Sequence, residues 1–157
     1  MIRRCTLVAV GKLRGWAATG SDDYVERLRR YFPVNVIEVA EEDMNRRSRE
    51  EALLAEGERI LKRLPTKAYV ISLDRERGEQ HPSEGLAKRL EDLGLSGHSH
   101  VAFVIGGPLG LSSEVLRRSH ELWSFGEITL PHALARVVLL EQLYRAIKIH
   151  RNEKYHW

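Results

Sequence analysis

Hydrophobic positions along the chain fall into two kinds of segment. Short apolar runs, some of them alternating with polar residues, predict β-strands over residues 3–11, 34–40, 67–73, 100–105 and 128–130. Between these runs, apolar residues recur at the three-to-four-residue spacing of amphipathic helices. Strands separated by helices predict an α/β fold with a mostly parallel sheet and helices on both of its faces.

Capping residues predict where the helices begin. Ser21 is followed by two acids, which the positive end of a helix favours. Ser48 and Glu51 have the spacing of a capping box, Ser83 precedes another apolar pattern, and Pro131 suits a first helical position. The predicted helices are residues 21–32, about 49–64, a segment from 83, a short one near 112–120, and one from 131 to about 150.

Three late loops are candidates for a ligand site, because parallel α/β sheets bind ligands beyond the carboxyl ends of their strands. These loops follow Leu73, follow Ile105 and precede Pro131. The second begins with Gly106 and Gly107, whose backbone can approach a ligand closely because glycine has no Cβ. A tight strand-to-helix turn explains the same glycines equally well. The loop matches neither the dinucleotide fingerprint nor a P-loop.

Composition is that of one ordinary globular domain, residues 1–157, with 43% hydrophobic and 30% charged residues. The single cysteine, Cys5, lies in an apolar strand and is expected to be a buried residue. No apolar run is long enough to span a membrane and no signal peptide is recognised, so a cytoplasmic location is expected. No cysteine and histidine spacing resembles a zinc site, and no metal is expected.

Positive charge is concentrated at the two ends of the chain, although the net charge is only +3. Residues 1–20 contain four basic residues and no acid, and residues 133–157 contain five lysines or arginines against two glutamates. Two basic ends could form a footprint for a polyanion. Charge alone favours the simpler interpretation, a solvated surface.

Several motifs, taken together and in order, carry a resemblance that covers the whole chain. They are "LVAVGKLR", "VISLDRERGEQHPSEGLA", "VAFVIGGPLGLS", "WSFGEITLPHALARVVLLEQLYRAIKI" and "KYHW". The sequence closely resembles the RlmH family of ribosomal RNA methyltransferases, within the SPOUT superfamily. The resemblance implies a deep trefoil knot at about residues 98–157. General rules of chain topology would not have suggested a knot.

The resemblance also implies a cofactor, S-adenosylmethionine, bound in a bent shape by the three late loops. Its sulfonium activates the methyl group, so the protein has to bind and orient rather than supply a metal. Backbone groups of the last loop could read the adenine edge. The cofactor contacts carried over from the family are Leu73, Gly106, Phe125, Gly126, Glu127, Ile128, Thr129 and Leu130.

The implied reaction is methylation of N3 of a pseudouridine, number 1915 of 23S ribosomal RNA, in the assembled ribosome. His156 and Tyr155, near the C-terminus, are the catalytic candidates, although terminal residues are often frayed. His132 either caps the last helix or lines the site. The candidates for RNA contact are Arg136, Arg145 and Trp157, and Arg145 could instead form an i,i+4 ion pair with Glu141.

The last helix is apolar on more than one face, which predicts cover on both sides and suggests a second subunit. The family is dimeric, and the resemblance implies that the tail of one subunit lies near the cofactor of the other. Two positions depart from the family pattern: Asn152 stands in place of a glycine, and Trp157 in place of a terminal basic residue. An indole could stack on an unpaired base. The alternative function is a noncatalytic RNA-binding protein of the same fold.

Overall fold

The structure, a computed structural model, describes residues 1–155. This part of the chain forms six strands and five α-helices. In chain order they are β1 Arg4–Val10, α1 Gly15–Leu28, β2 Val34–Val39, α2 Arg49–Arg63, β3 Tyr69–Leu73, β4 Glu79–Gln80, α3 Ser83–Leu95, β5 His100–Ile105, α4 Ser113–Arg118, β6 Glu121–Ser124 and α5 His132–His150.

The strands form one sheet in the order β2-β1-β5-β3-β6-β4, and every neighbouring pair is parallel. All strands therefore end at one side of the sheet, the carboxyl edge, and begin at the other, the amino edge. Residues on both faces of the central strands are buried. Leu7 and Phe103 belong to one core cluster, and Val8 and Val104 belong to the other. The predicted α/β fold with a parallel sheet is confirmed.

The helices cover the sheet in two layers. Helix α5 packs against α1 and α3 on one face, and α2 packs against α4 on the other. Ser48 caps α2 as predicted, because its hydroxyl accepts a hydrogen bond from the Glu51 N–H at 3.2 Å. None of the helices in residues 1–155 is long and apolar enough to cross a membrane.

Two predicted elements were placed wrongly. Helix α1 begins at Gly15 rather than Ser21, and Ser21 is a buried residue, 4% exposed, inside it. The last strand is β6 at residues 121–124, whereas 128–130 is a loop. Trp123 explains the second error, because its side chain is 1% exposed in the core while Ile128 is 69% exposed. The four residues of β6 are too mixed in polarity to show the apolar run that a central strand usually has.

Helix α5 is covered mainly within its own chain. Leu139, Leu140, Leu143 and Ile147 are buried against the sheet and the neighbouring helices. Leu134 and Val138 are only half-buried. A second subunit is therefore not needed to cover the helix on all of its faces, as the sequence had suggested. The trefoil knot and the single-domain assignment of residues 1–157 stay predictions.

Candidate active site

A groove of about 690 Å³ lies at the carboxyl edge, where the loops after β5, β3 and β6 meet. These three strands are neighbours in the sheet, so their ends converge although they are far apart in sequence. The walls are residues 73–77, 105–111, 123–126 and 128–132, with Arg49 and Leu53 of α2 at one side. Pockets of this size accept small-molecule ligands. The groove is where the sequence predicted a ligand site.

The loop after β5 is a compact turn. Pro108 and Leu109 form its corner, and the Gly110 N–H donates to the Gly107 carbonyl at 3.0 Å. A Cβ on Gly106 would lie 2.5 Å from the Gly110 carbonyl oxygen, so a side chain there would disturb the turn itself. Gly110 has a φ of +85°, which side-chain-bearing residues rarely adopt. The glycines thus serve the turn, and the turn shapes one wall of the groove.

The loop after β3 is organised by Asp74. Its Oδ1 accepts hydrogen bonds from the N–H groups of Glu76 and Arg77 at 3.0 and 2.8 Å. Its own N–H donates to the Trp123 carbonyl at 2.9 Å, which fixes the loop to the end of β6. An aspartate that binds backbone groups two and three residues ahead is a common device for closing a turn.

The loop after β6 is tied to the loop after β3. The Ser124 hydroxyl donates to the Arg75 carbonyl at 3.0 Å, and the Arg75 guanidinium donates to the Glu127 carbonyl at 3.0 Å. Gly126 has a φ of +111°, and a Cβ there would meet no atom within 4 Å. The side-chain direction at Gly126 therefore points into open space, while the Gly126 N–H donates to the Ser124 hydroxyl oxygen at 3.2 Å.

Seven of the eight residues predicted to contact the cofactor line this groove. Glu127 is the exception, and its carbonyl accepts the bond from Arg75 instead. The walls combine apolar side chains with turns of exposed backbone, which suits a ligand that has both an aromatic ring and polar edges. The lining members of the predicted set are Leu73, Gly106, Phe125, Gly126, Ile128, Thr129 and Leu130.

A buried carboxyl group that no sequence motif indicates lies behind the turn after β5. Glu56 on α2 is 2% exposed, and its Oε2 accepts a hydrogen bond from the Glu42 N–H at 2.9 Å. Within residues 1–155 its Oε1 has no hydrogen-bond partner, and it lies 3.9 Å from the position of a Cβ on Gly107. Burial, reinforced by the charge of Glu41, raises the pKa of Glu56.

His132 lines the groove as the first residue of α5, and the N-cap position of that helix is taken by Pro131. Of its two predicted roles, the structure therefore supports the one in the site. Its Nε2 and the Glu41 Oε2 both lie within 4 Å of the position of a Cβ on Gly11, which brings the loops after β1 and β2 to the same region. Within residues 1–155, no group of three or more His, Cys, Asp or Glu is placed to hold a metal ion.

Arg136 lies inside the molecule rather than on an RNA-facing surface. Its side chain is 1% exposed, and it donates to the Gly11 carbonyl at 3.0 Å and to Glu38 at 2.8 Å. Its Nε has no partner among the described residues. In this position the guanidinium holds the loop after β1 against α5 and has no surface to offer to a phosphate, so the predicted RNA contact at Arg136 is not supported.

The C-terminal tail is docked on α1 and α5 as far as Tyr155. The Tyr155 ring meets Tyr144 edge-on at 4.8 Å, and its hydroxyl lies 3.3 Å from that of Tyr24. Arg145 forms the alternative ion pair with Glu141 at 2.6 Å and also lies 4.9 Å from the Tyr155 ring. Burial is the main cause that raises the pKa of Tyr155. The predicted site residues His156 and Trp157 lie outside the described residues.

Comparisons with known proteins agree with this architecture. The family model described as "Predicted SPOUT methyltransferase" matches residues 3–156. A protein of Rubrobacter xylanophilus named "Ribosomal RNA large subunit methyltransferase H" is 70% identical over the full length of both chains. A protein of the same name from Alkaliphilus oremlandii is 44% identical, covering 96% of this chain and 98% of its own.

A solved structure, a probable methylase family protein from Haemophilus influenzae, matches with a TM-score of 0.54 at 16% identity. It covers 98% of this chain and 70% of its own, and at that identity it supports the fold alone. The resemblance seen in the sequence is confirmed by the family match and by the full-length relatives. The chain belongs to the SPOUT methyltransferase family.

Proposed function

We propose that the protein transfers a methyl group from S-adenosylmethionine to N3 of a pseudouridine in large-subunit ribosomal RNA, at position 1915 of 23S RNA, in the cytoplasm. The observation that carries this proposal is the 70% identity, over the full length, to a relative named as a ribosomal RNA large subunit methyltransferase. Membership of a methyltransferase family already implies a methyl donor. The groove at the carboxyl edge supports the identity of that donor.

The groove fits the donor in its chemistry. Leu73, Phe125 and Leu130 offer apolar walls to an adenine ring, and Gly126 adds backbone to the lining with no side chain in the way. When bound, the donor supplies an activated methyl carbon on sulfonium sulfur. The chain then has to orient the donor, exclude water and accept the proton of the imide nitrogen.

The tail residues Tyr155 and His156 are proposed to act on the RNA, in the groove of a second subunit. Helix α5 begins beside the groove, where His132 lines it, and its 19 residues span about 27 Å at 1.5 Å per residue. The tail beyond α5 therefore starts far from the groove of its own chain. The exposed Ile128 and the half-buried Leu130, Leu134 and Val138 offer an apolar strip on which a second copy can pack.

Mass mapping of ribosomal RNA from cells with and without this gene tests the proposed function. The expected result is that one pseudouridine of the large-subunit RNA carries an additional methyl group only when the gene is present. Purified protein should then restore that methyl group on ribosomes from the deletion strain when S-adenosylmethionine is added. Binding to ribosomes without any methyl transfer would contradict the proposal and support the noncatalytic RNA-binding alternative.

Tail variants test the shared site. Removing residues 155–157 should abolish methyl transfer while calorimetry shows donor affinity within about twofold, because the groove loops are intact. Tyr24→Phe removes only the hydroxyl contact to Tyr155 and should slow transfer by less than about tenfold, since one neutral hydrogen bond is worth about 1 kcal/mol.

Mixed dimers decide whether the site crosses between subunits. A tail-deleted subunit paired with a subunit that cannot bind the donor should regain one working site. Inactivity in a verified mixed dimer would contradict the shared site, although the methyltransferase activity itself would stand.

A further inference from the structure

The amino edge of the sheet carries a surface of basic residues that the proposed reaction does not use. Its members stand at the starts of four neighbouring strands, in the short turns just before them and, for Arg118, at the end of α4. We call this set the amino-edge surface: Arg3, Arg4, Lys67 and Arg118, with His98, His100 and His120.

Backbone contacts bring these residues to one place. The N–H groups of Arg3 and Arg4 both donate to the Ser99 carbonyl, at 2.8 and 3.1 Å, and Arg4 pairs with His100 in the sheet. The His120 N–H donates to the Val70 carbonyl at 2.8 Å. The strands are ordered β1-β5-β3-β6, and at about 4.8 Å per strand the row from Arg4 to His120 is about 15 Å wide.

Contacts on the far side complete the surface. Arg118 donates to the carbonyls of Pro65 and Thr66, at 3.5 and 3.4 Å, which places it beside Lys67. The ring of Tyr69 lies between those of His98 and His120, with centroids 4.8 and 4.5 Å away.

The lysine and arginine charges of this surface are not paired with carboxylates of the described residues. Within residues 1–155, none of its lysine and arginine side chains has a carboxylate oxygen within 4 Å. The nearby Glu121 is engaged by Arg89, Tyr69 and Trp123 instead. Burial and then the neighbouring Arg4 lower the pKa of His100, as burial and Arg118 do for His120. Within the surface, Arg4 therefore disfavours the charged form of His100, and Arg118 that of His120.

Helix dipoles explain only part of the placement. Basic residues near a helix C-terminus are stabilised by the dipole, and Arg118 at the end of α4 gains in this way. Lys67 stands four residues beyond the end of α2 at Arg63, whereas Arg3 and Arg4 lie at the start of β1 and belong to no helix. A cluster of unpaired cations costs repulsion energy unless an anion binds it.

We propose that the amino-edge surface binds the phosphate backbone of the RNA substrate, on the side of the molecule away from the groove. This inference rests on the proposed function for the identity of the polyanion. The tail supports it: His150, near the end of α5, lies 3.7 Å from Glu91 in the last turns of α3, and α3 leads into the amino edge at His98. RNA held on this surface therefore passes close to the point from which the tail emerges.

The test compares two pairs of substitutions that remove equal charge. Arg3→Gln with Arg4→Gln alters the surface, while Arg46→Gln with Lys88→Gln removes two exposed cations that already have carboxylate partners. Arg3→Lys with Arg4→Lys keeps the charge and controls for folding. The measurements are methyl transfer on ribosomes from the deletion strain and the salt dependence of binding to a fluorescent poly(uridine) oligonucleotide.

The Arg3 and Arg4 glutamine pair should raise KM for ribosomes about tenfold, with kcat and donor affinity within about twofold, and should reduce the slope of log affinity against log salt by about 1.4. The lysine pair and the Arg46 and Lys88 control should resemble wild type. An unchanged KM and slope in the glutamine pair would overturn the inference and leave the proposed function intact.

Two further outcomes separate the inference from the proposed function. If no ribosomal RNA is methylated yet the slope for poly(uridine) still falls, the proposed function fails and the RNA surface survives. If the glutamine pair loses binding only to phosphatidylserine-containing vesicles, the surface is a membrane site and the inference is wrong.

Discussion

The two edges of the sheet differ in what they present to a ligand. At the carboxyl edge, three loops are bonded to one another and to strand ends, and the groove they form is walled by turns of backbone and apolar side chains. At the amino edge, backbone groups are hydrogen-bonded to one another in short turns, and the surface consists of basic side chains. One edge suits a small ligand held by shape, and the other suits a polyanion held by charge.

This difference indicates how each edge should respond to substitution. A site made of backbone depends on which residues can adopt the required turns, so it is sensitive to added atoms and tolerant of changed side-chain chemistry. A site made of charges tolerates changes of shape and responds to salt and to lost charge. Three substitution experiments can break or sharpen this contrast.

The largest effect is expected from Gly106→Ala. One added methyl group would lie 2.5 Å from the Gly110 carbonyl oxygen, so the turn must move and the groove wall with it. Calorimetry should show donor affinity reduced by more than about a hundredfold, as expected when a built binding site is misplaced by about 1 Å. Gly20→Ala is the matched control, because Gly20 lies in α1 and its added Cβ would make an ordinary 3.6 Å contact with Val137 of α5. Full donor affinity in Gly106→Ala would show that the turn is not part of the site.

A smaller effect, on stability, is expected when a buried cation is removed. Arg136→Met leaves the Gly11 carbonyl and Glu38 without their partner and should lower the free energy of unfolding by about 3 kcal/mol. Arg118→Met, at the amino edge, loses two long bonds to carbonyls and should cost less than about 1 kcal/mol. Urea unfolding measures both. Equal losses would mean that burial does not distinguish the two arginines.

The smallest effects are opposite responses to pH. Burial raises the pKa of Glu56, so the stability it contributes at low pH is lost as pH rises through that raised value, above 4.5. Burial lowers the pKa of His120. The stability that His120 contributes is therefore present above pH 6.5 and is lost as pH falls through the lowered pKa. The Val70 N–H donates to His120 Nδ1 at 2.8 Å, and protonation of that nitrogen would break the bond.

Two variants isolate these responses in urea unfolding across a pH series. Glu56→Gln should gain stability relative to wild type as pH rises, and His120→Asn, which keeps an acceptor, should gain relative to wild type as pH falls below 6.5. If the free energy of unfolding of either variant changed with pH in parallel with that of wild type, the substituted group would not be the cause of the pH response.

The sequence was informative where one local pattern decides the structure. The Ser48 capping box and the apolar run of β5 predicted their elements, and the run ending at Ile105 placed the groove. It failed where long-range packing decides. Nothing near Arg136 in the sequence shows that Glu38, 98 residues away, will pair with it in the interior. Likewise, β6 is a strand because Trp123 fills the core beside Phe103, a contact invisible to local periodicity.

The place of β1 in the sheet determines when the core can close during synthesis. One partner of β1 is β2, which follows it directly, but the other is β5, in which Arg4 pairs with His100. A ribosome adding about 5–20 residues per second needs about 5–20 s to extend the chain from β1 to β5. For that time one side of β1 has no strand to pair with, although residues 5–10 of this strand end up buried. Nascent chains should therefore be most prone to aggregation before β5 emerges, and slower translation or a holding chaperone should change the soluble yield more than it changes the stability of the finished protein.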